Sequence, residues 1–189
     1  MHLTTYMTRL AAACLLVTFT AAHGQSPLTD KQIEEIGLTY PTPFGNVRFL
    51  NSDGKLAVVA DRIELDSKVL LTKSAKPDGW GNSLFLMPMD DGDVTAVDTA
   101  PKKDRKLGRA MTKRMIVAEG ADGNCLKQFI LLDFTLEQPF VSKPFGENVG
   151  MKQCLFFEKA KWGKKEARIN LCNGTFVYTP GSDLVEAKP

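Results

Sequence analysis

Short apolar or alternating stretches, each bounded by turn residues, follow one another along most of the chain after residue 46. Arg62-Ile63-Glu64-Leu65 alternates strictly, which is the period of a strand with one buried face. Asn51–Gly54 is rich in residues that tolerate left-handed backbone, and Asp66–Lys68 provides another turn. This regular spacing predicts a mainly β fold, an antiparallel sandwich or barrel. The predicted strands are 47–50, 56–60, 62–65, 69–71, 83–87, 115–118, 129–134, 154–162, 167–172 and 175–178.

One short helix is predicted before the first strand, over Ser26–Leu38. Thr29 or Asp30 can accept hydrogen bonds from its first turn, and Gly37 can end it. Tyr40–Pro43 then follows as an extended connector, because each proline disfavours helical backbone at the residue before it.

The C-terminal hairpin is the most specific structural prediction. Asn173-Gly174 is the preferred pair for a two-residue type I′ turn, here between apolar runs at 167–172 and 175–178. This turn pairs Cys172 with Thr175 and sets the register of the two strands. The register in turn gives the hairpin one buried face, with the side chains of Ile169, Leu171, Phe176 and Tyr178.

The start of the chain has the three parts of a secretory signal peptide. Arg9 gives it a positive charge, Leu10–Ala22 is its apolar run, and small residues allow cleavage after Ala22 or Gly24. As a helix the apolar run would be roughly 20 Å long, shorter than a bilayer core of about 30 Å. We therefore expect residues 1–24 to be cleaved and residues 25–189 to form a single β-rich domain, periplasmic or secreted.

Composition then excludes several classes of function. The formal net charge is +2, which gives no overall electrostatic case for binding nucleic acid. The chain has two histidines, His2 and His23, and both fall within or beside the predicted signal peptide. The folded domain therefore lacks the imidazole that Ser-His-Asp triads, Cys-His dyads and most zinc sites need. We expect no cofactor, and the enzyme chemistry that remains is that of paired carboxylates.

Three cysteines remain after cleavage, and an exported chain favours one disulfide with one thiol left over. We favour Cys125–Cys154, which would close a loop of about 30 residues worth roughly 3–4 kcal/mol in the chain-entropy model. Cys154–Cys172 is the alternative. It is disfavoured because the predicted pairing places Cys172 opposite Phe156 or Phe157, too far from Cys154 for a relaxed bridge.

Two charged stretches lie next to each other in a predicted insertion at about 90–114. The first is acidic, with Asp90, Asp91, Asp93 and Asp98, and it is either a cation site or a solvated turn. The second is basic, and it predicts either contact with an anionic partner or a mobile surface loop. Its residues that we select as a candidate interaction surface are Lys102, Lys103, Arg105, Lys106 and Arg109.

The two tryptophans receive different interpretations. Trp80 lies between glycines in Asp78–Asn82, so it is either a contact residue or a plug at one end of a barrel. We include it in the candidate interaction surface. Trp162, at the end of a predicted strand, is expected to cover the sheet.

Short motifs at Gly120–Cys125 and Val141–Gly146 are followed by Cys154 and the final hairpin. Over residues 120–180 this order resembles a loose group of uncharacterised bacterial exported β-rich proteins. In that group a Gly-Gly-x-x-Cys segment, a Val-Ser-x-x-Phe-Gly segment and a second cysteine recur. The second cysteine normally follows Phe-Gly closely, whereas Cys154 lies eight residues after Gly146. The resemblance implies a bacterial periplasmic protein and implies no activity.

The sequence thus favours a non-enzymatic binding or interaction protein whose partner is an envelope protein. One concrete form is an inhibitor or immunity-type protein that acts on an envelope-targeted enzyme. The alternative is a carboxylate-based hydrolase of cell-wall or glycan material, for which the sequence identifies no pair of residues. A structural envelope component is a third possibility.

Overall fold

The computed structural model of the chain describes residues 37–76, 83–89, 96–99, 111–121, 125–147 and 155–186. These residues form three antiparallel sheets, which confirms the predicted mainly β class. The predicted helix at 26–38 lies outside them except for its last two residues, and the described part of the chain contains no helical element. No helix in those ranges is long and apolar enough to cross a membrane.

Each sheet is built from strands that are close together in the sequence. The N-terminal sheet has the order β1-β2-β3-β4, with bounds β1 (Thr39–Thr42), β2 (Gly45–Leu50), β3 (Arg62–Leu65) and β4 (Lys68–Thr72). The central sheet contains β5 (Leu84–Pro88), β6 (Val97–Thr99), β7 (Thr112–Ala121), β8 (Cys125–Asp133) and β9 (Phe140–Val141). Its order is β5-β7-β8-β9, and β6 also pairs with β7. The C-terminal sheet has the order β10-β11-β12-β13, with β10 (Phe157–Trp162), β11 (Ala167–Leu171), β12 (Gly174–Tyr178) and β13 (Val185–Glu186).

The central sheet is buried on both faces between the two outer sheets. Consecutive residues Met115, Ile116, Val117 and Ala118 of β7 are all 0% exposed. Met115 and Val117 pack in a core with the N-terminal sheet, whereas Ile116 and Ala118 pack in a second core with the C-terminal sheet. Alternate side chains of a strand point to opposite faces, so an uninterrupted apolar run serves both cores.

The segment after β2 does not form the predicted strand at 56–60. It makes single bridges instead, Leu50 with Leu56 and Ala60 with Leu86. The Ala60–Leu86 bridge has both of its backbone hydrogen bonds, at 2.8 Å each, and it joins the N-terminal sheet to β5. Val58 and Val59 between the two bridges are exposed, so this segment crosses between sheets rather than extending one.

The C-terminal hairpin forms, but its predicted register is wrong by two residues. Leu171 pairs with Gly174 and Ile169 with Phe176, so Cys172 and Asn173 are the turn residues. Neither of these has a positive φ, which a type I′ turn requires. Gly174 instead follows the turn, where glycine is also favoured. An even shift keeps every side chain on its face. The predicted buried set is therefore confirmed: Ile169, Leu171, Phe176 and Tyr178.

The predicted insertion at 90–114 is not one loop. Val97–Thr99 forms β6, and β7 begins at Thr112. Thr99 and Thr112 are direct partners in the β6–β7 ladder. The two residues that flank 100–111, which we call the basic segment, therefore lie next to each other on the central sheet.

Candidate functional site

Three charged residues lie side by side across the central sheet, where β6 and β8 end and β7 begins. Asp98 pairs with Arg114, and Arg114 pairs with Asp133 on its other side. Directly opposite residues of antiparallel strands place their side chains on the same face. The register of three strands therefore puts a carboxylate on each side of one guanidinium.

Arg114 is 6% exposed and is held from several directions. Its Nε and Nη2 donate to Asp98 Oδ2 at 2.8 and 2.6 Å, and its Nη1 donates to the carbonyl oxygen of Gly163 at 3.0 Å. The guanidinium carbon lies 5.0 Å from the centre of the Trp162 ring, a cation–π distance. Charge-assisted hydrogen bonds at low exposure fix this side chain in one geometry.

Asp133 is 0% exposed, and both of its oxygens accept hydrogen bonds. Tyr178 Oη donates to Oδ2 at 2.6 Å, and the backbone N and Oγ1 of Thr135 donate to Oδ1 at 2.7 Å each. The Tyr178 hydroxyl in turn accepts from Gly181 N at 3.0 Å. Burial first, and then the bond to Asp133, raise the pKa of Tyr178 well above its ordinary value, so the phenol stays a neutral donor. The hydrogen bond between Asp133 of β8 and Tyr178 of β12 thus links the central sheet to the C-terminal sheet.

A cleft of about 390 Å³ opens beside Arg114, a volume within the usual range of ligand sites. It is bordered by the ends of β6 and β7, by the segment after β8, and by the β10–β11 turn. The lining residues are Asp98, Lys113, Arg114, Thr135, Trp162, Gly163 and Lys164. Asp98 offsets the charge of Arg114, so the remaining formal charge of the lining comes from Lys113 and Lys164. Neither lysine makes an ion pair with another residue in the described ranges.

An irregularity in β7 explains how two neighbouring cations reach the same cleft. In a regular strand Lys113 and Arg114 would point to opposite faces. The β6–β7 register shifts here, because Asp98 pairs with Arg114 and the next residue, Thr99, pairs with Thr112. Lys113 is therefore the extra residue of a β-bulge, a feature that commonly redirects side chains next to functional sites.

The selected basic residues Lys102, Lys103, Arg105, Lys106 and Arg109 lie outside the described residues, as do Trp80 and Asp90–Asp93. The structure does describe the residues that flank the basic segment. Thr99 and Thr112 are paired, and their neighbours Asp98 and Lys113 both line the cleft.

Two of the sequence hypotheses concern a cation site and a disulfide. Asp98 of the acidic stretch is bonded to Arg114, and the described residues contain no cluster of three or more potential metal ligands. Cys172 is not part of a disulfide, and its Sγ accepts a hydrogen bond from Phe156 N at 3.4 Å. Phe156 is one of the two neighbours that the sequence predicted for it. Cys154 lies outside the described residues, so its pairing with Cys125 stays a prediction.

The main residues of this site were not selected from the sequence. Arg114 counted only as one more cation of the basic stretch, and Trp162 only as a cover for the sheet, against which it does pack partly buried. A detectable signal was the aspartate that interrupts the apolar run at 129–134, because a buried charge needs partners. Comparisons with protein families, with curated proteins and with solved structures give no match to this chain.

Proposed function

We propose that this chain is an exported, non-enzymatic binding protein that recognises an acidic protein of the cell envelope. The observation that carries the proposal is the position of the basic segment. The Thr99–Thr112 pair lies next to Asp98 and Lys113 of the cleft, in which Lys113 and Lys164 form no ion pair with another described residue. We propose that the cations of the basic segment and these two lysines form one basic surface. Such a surface attracts and orients an acidic partner.

Export is part of the proposal, and it is supported by the signal-like start of the chain and by the three cysteines of the mature chain. The isolated antiparallel bridge between Leu126 and Leu155 places Leu155, which follows Cys154 in the sequence, beside the start of β8, which begins with Cys125. We therefore keep the Cys125–Cys154 disulfide as part of the proposal.

The arrangement of the carboxylates favours binding over hydrolysis. A carboxylate-based hydrolase needs one carboxyl group that can donate a proton and a second that can act as a base or nucleophile. In the row beside the cleft, Asp98 accepts two bonds from Arg114, and both oxygens of Asp133 accept donors within the protein. Both carboxylates are already engaged by donors within the protein, Asp98 by Arg114 and Asp133 by Tyr178 and Thr135, so we assign the cleft to recognition.

The shape of the molecule fits an inhibitor or immunity-type protein. The central sheet is buried on both faces, which gives the strand ends around the cleft a rigid base. A preorganised surface loses less conformational entropy when it binds a partner. We therefore propose that the cleft and the basic segment together contact an acidic region of an envelope enzyme.

The test compares capture of envelope proteins by two charge variants of the purified, exported chain. The first variant replaces the predicted basic segment with glutamates, and the control places glutamates at the exposed lysines of β10. We expect the wild type and the control to retain the same protein, and the segment variant to lose it, with unchanged thermal unfolding in all three. Retention that is equal in all three, or retention of nothing, would refute the proposal. The substitutions are Lys102→Glu, Lys103→Glu, Arg105→Glu, Lys106→Glu and Arg109→Glu in the first variant, and Lys159→Glu and Lys161→Glu in the control.

A further inference from the structure

We propose that the cleft beside Trp162 is a receptor for a single carboxylate side chain, an aspartate or glutamate of the protein partner. This inference rests on the proposed function and specifies its contact chemistry. Lys113 and Lys164 would bind the carboxylate, and the aliphatic stem of the acidic residue would lie along the indole ring.

The charge distribution of the cleft favours an anion. Asp98 already neutralises Arg114 through two hydrogen bonds to one of its oxygens. Lys113 at the start of β7 and Lys164 in the β10–β11 turn also line the cleft, and they carry the remaining formal charge of its lining. An ammonium is a mobile point charge and does not need the fixed two-point geometry that guanidinium requires.

A β-bulge lies where Lys113 joins the lining of the cleft. Without the irregularity between Asp98 and Thr99, Lys113 would face away from Arg114 and the cleft would lose one of its two uncompensated charges. Bulges interrupt ladder pairing, and they are concentrated where a side chain is redirected for function. Here the interruption aims Lys113 at the same space as Lys164.

Trp162 suits the aliphatic part of an acidic side chain. The indole lies in the cleft wall and is held in position by the guanidinium 5.0 Å from its centre. A glutamate or aspartate has methylene groups that can pack on such a ring while its carboxylate remains polar. Tryptophan and arginine are also the residues most often found at the energetic centre of protein interfaces.

The size of the cleft limits what it can hold. A volume of about 390 Å³ accommodates a side chain or small ligand, and it excludes a whole helix or strand of the partner. A flat anionic membrane would contact the surrounding lysines without filling the cleft. Occupation of the cleft therefore distinguishes an inserted acidic side chain from a negatively charged surface that only attracts the lysines around it.

The experiment uses Trp162 as its own reporter. The chain contains two tryptophans, so Trp80→Phe leaves Trp162 as the single fluorophore. The full chain, purified after export, is titrated with an acetylated and amidated tetraglutamate peptide, with the tetraglutamine peptide of equal length, and with inorganic phosphate. We expect a saturable fluorescence change with tetraglutamate, and at least tenfold weaker binding of the other two, which corresponds to about 1.4 kcal/mol or more.

Matched variants separate insertion in the cleft from attraction by the surface. Lys113→Gln with Lys164→Gln removes both cleft charges, whereas Lys159→Gln with Lys161→Gln removes two exposed charges from β10. We expect tetraglutamate binding to weaken about tenfold or more in the first pair and less than about threefold in the second. Equal weakening in both pairs, phosphate binding as tight as that of the peptide, or no fluorescence change would overturn the inference. In any of these three results, the capture experiment decides the fate of the proposed function. If envelope capture still depends on the basic segment, the proposed function stands and only the cleft inference fails. If capture does not depend on it, the proposed function fails as well.

Discussion

The hydrogen bond between Tyr178 and Asp133 gives the most quantitative prediction. Tyr178→Phe removes one oxygen and keeps the ring, including its stacked contact with Phe140 at 6.2 Å. Asp133 Oδ2 then loses the donor at 2.6 Å, and Gly181 N loses its acceptor. A hydrogen bond to a charged group contributes about 1.5–3 kcal/mol and a neutral one about 0.5–1.5 kcal/mol. Gly181 is exposed and can bond to water instead, so we expect a total loss of roughly 2–4 kcal/mol.

Urea unfolding measures this loss directly. With a slope of about 2 kcal/mol per molar, the midpoint of Tyr178→Phe should fall by about 1–2 M while the slope stays unchanged. The Asp133→Asn variant and the double variant complete a thermodynamic cycle, in which we expect a coupling energy of at least about 1 kcal/mol. A single-variant loss below about 0.5 kcal/mol, or a coupling energy within the usual error of about 0.3–0.5 kcal/mol, would refute the role assigned to this pair.

The pH dependence of the same variant has a definite sign. The folded-state pKa of Tyr178 is raised above the ordinary value of 10.0, mainly by burial and then by Asp133. The stabilisation from the neutral hydroxyl is therefore fully present below the ordinary value and is lost as the pH rises through the folded-state pKa. The stability difference between wild type and Tyr178→Phe should be constant from about pH 6 to 9 and should shrink above about pH 10. A difference that shrinks toward acidic pH instead would contradict this origin.

Three further predictions concern other parts of the fold. Arg114→Lys keeps the charge, but a lysine cannot donate hydrogen bonds to Asp98 and Gly163 at the same time. Urea unfolding should therefore show a loss of about 1–3 kcal/mol in the free energy of unfolding. An unchanged midpoint would refute the described network. Hydrogen bonds from the backbone and side chain of Lys143 lower the pKa of the exposed Asp183 carboxyl group. The stabilisation from this carboxylate is therefore present above the ordinary pKa of 3.8 and is lost as the pH falls through the folded-state pKa. Asp183→Asn should remove a small, salt-sensitive part of the acid dependence of stability. The exported, unfolded chain should show one thiol that reacts with a colorimetric reagent and none in Cys172→Ser, whereas three reactive thiols would contradict both export and the disulfide.

Sequence patterns were sufficient for the class of the fold and for most of its strands. Turn residues and alternation located strands near their observed bounds, because these signals are local. The third layer was not predicted, because a short apolar run such as 115–118 looks the same whether one or both of its faces are buried. The hairpin register failed for a related reason: Asn173-Gly174 fits more than one turn position, and even shifts preserve the buried face.

The candidate site could be predicted only in part. The predicted insertion at 90–114 includes Arg114, but the sequence did not show that this arginine is buried and paired with Asp98 and Asp133 in the strand register. That row depends on the register among β6, β7 and β8, and β6 is a three-residue strand hidden in an acidic stretch. The direction of the Lys113 side chain depends on a β-bulge, which no local pattern in this sequence predicts. The site is thus determined by the pairing of strands that are distant in the sequence, and this pairing cannot be inferred from a single sequence.

Site-specific photo-crosslinking in intact cells tests the central claim most directly, because it reports export, partner and binding face together. One crosslinker replaces Thr135 at the rim of the cleft, and the control replaces Val69, which is 49% exposed on the outer N-terminal sheet. The account predicts that an envelope protein is captured from position 135 and not from position 69, and that Lys113→Gln with Lys164→Gln weakens this capture. Capture that is equal from both positions, or a chain that is found uncleaved in the cytoplasm, would contradict it.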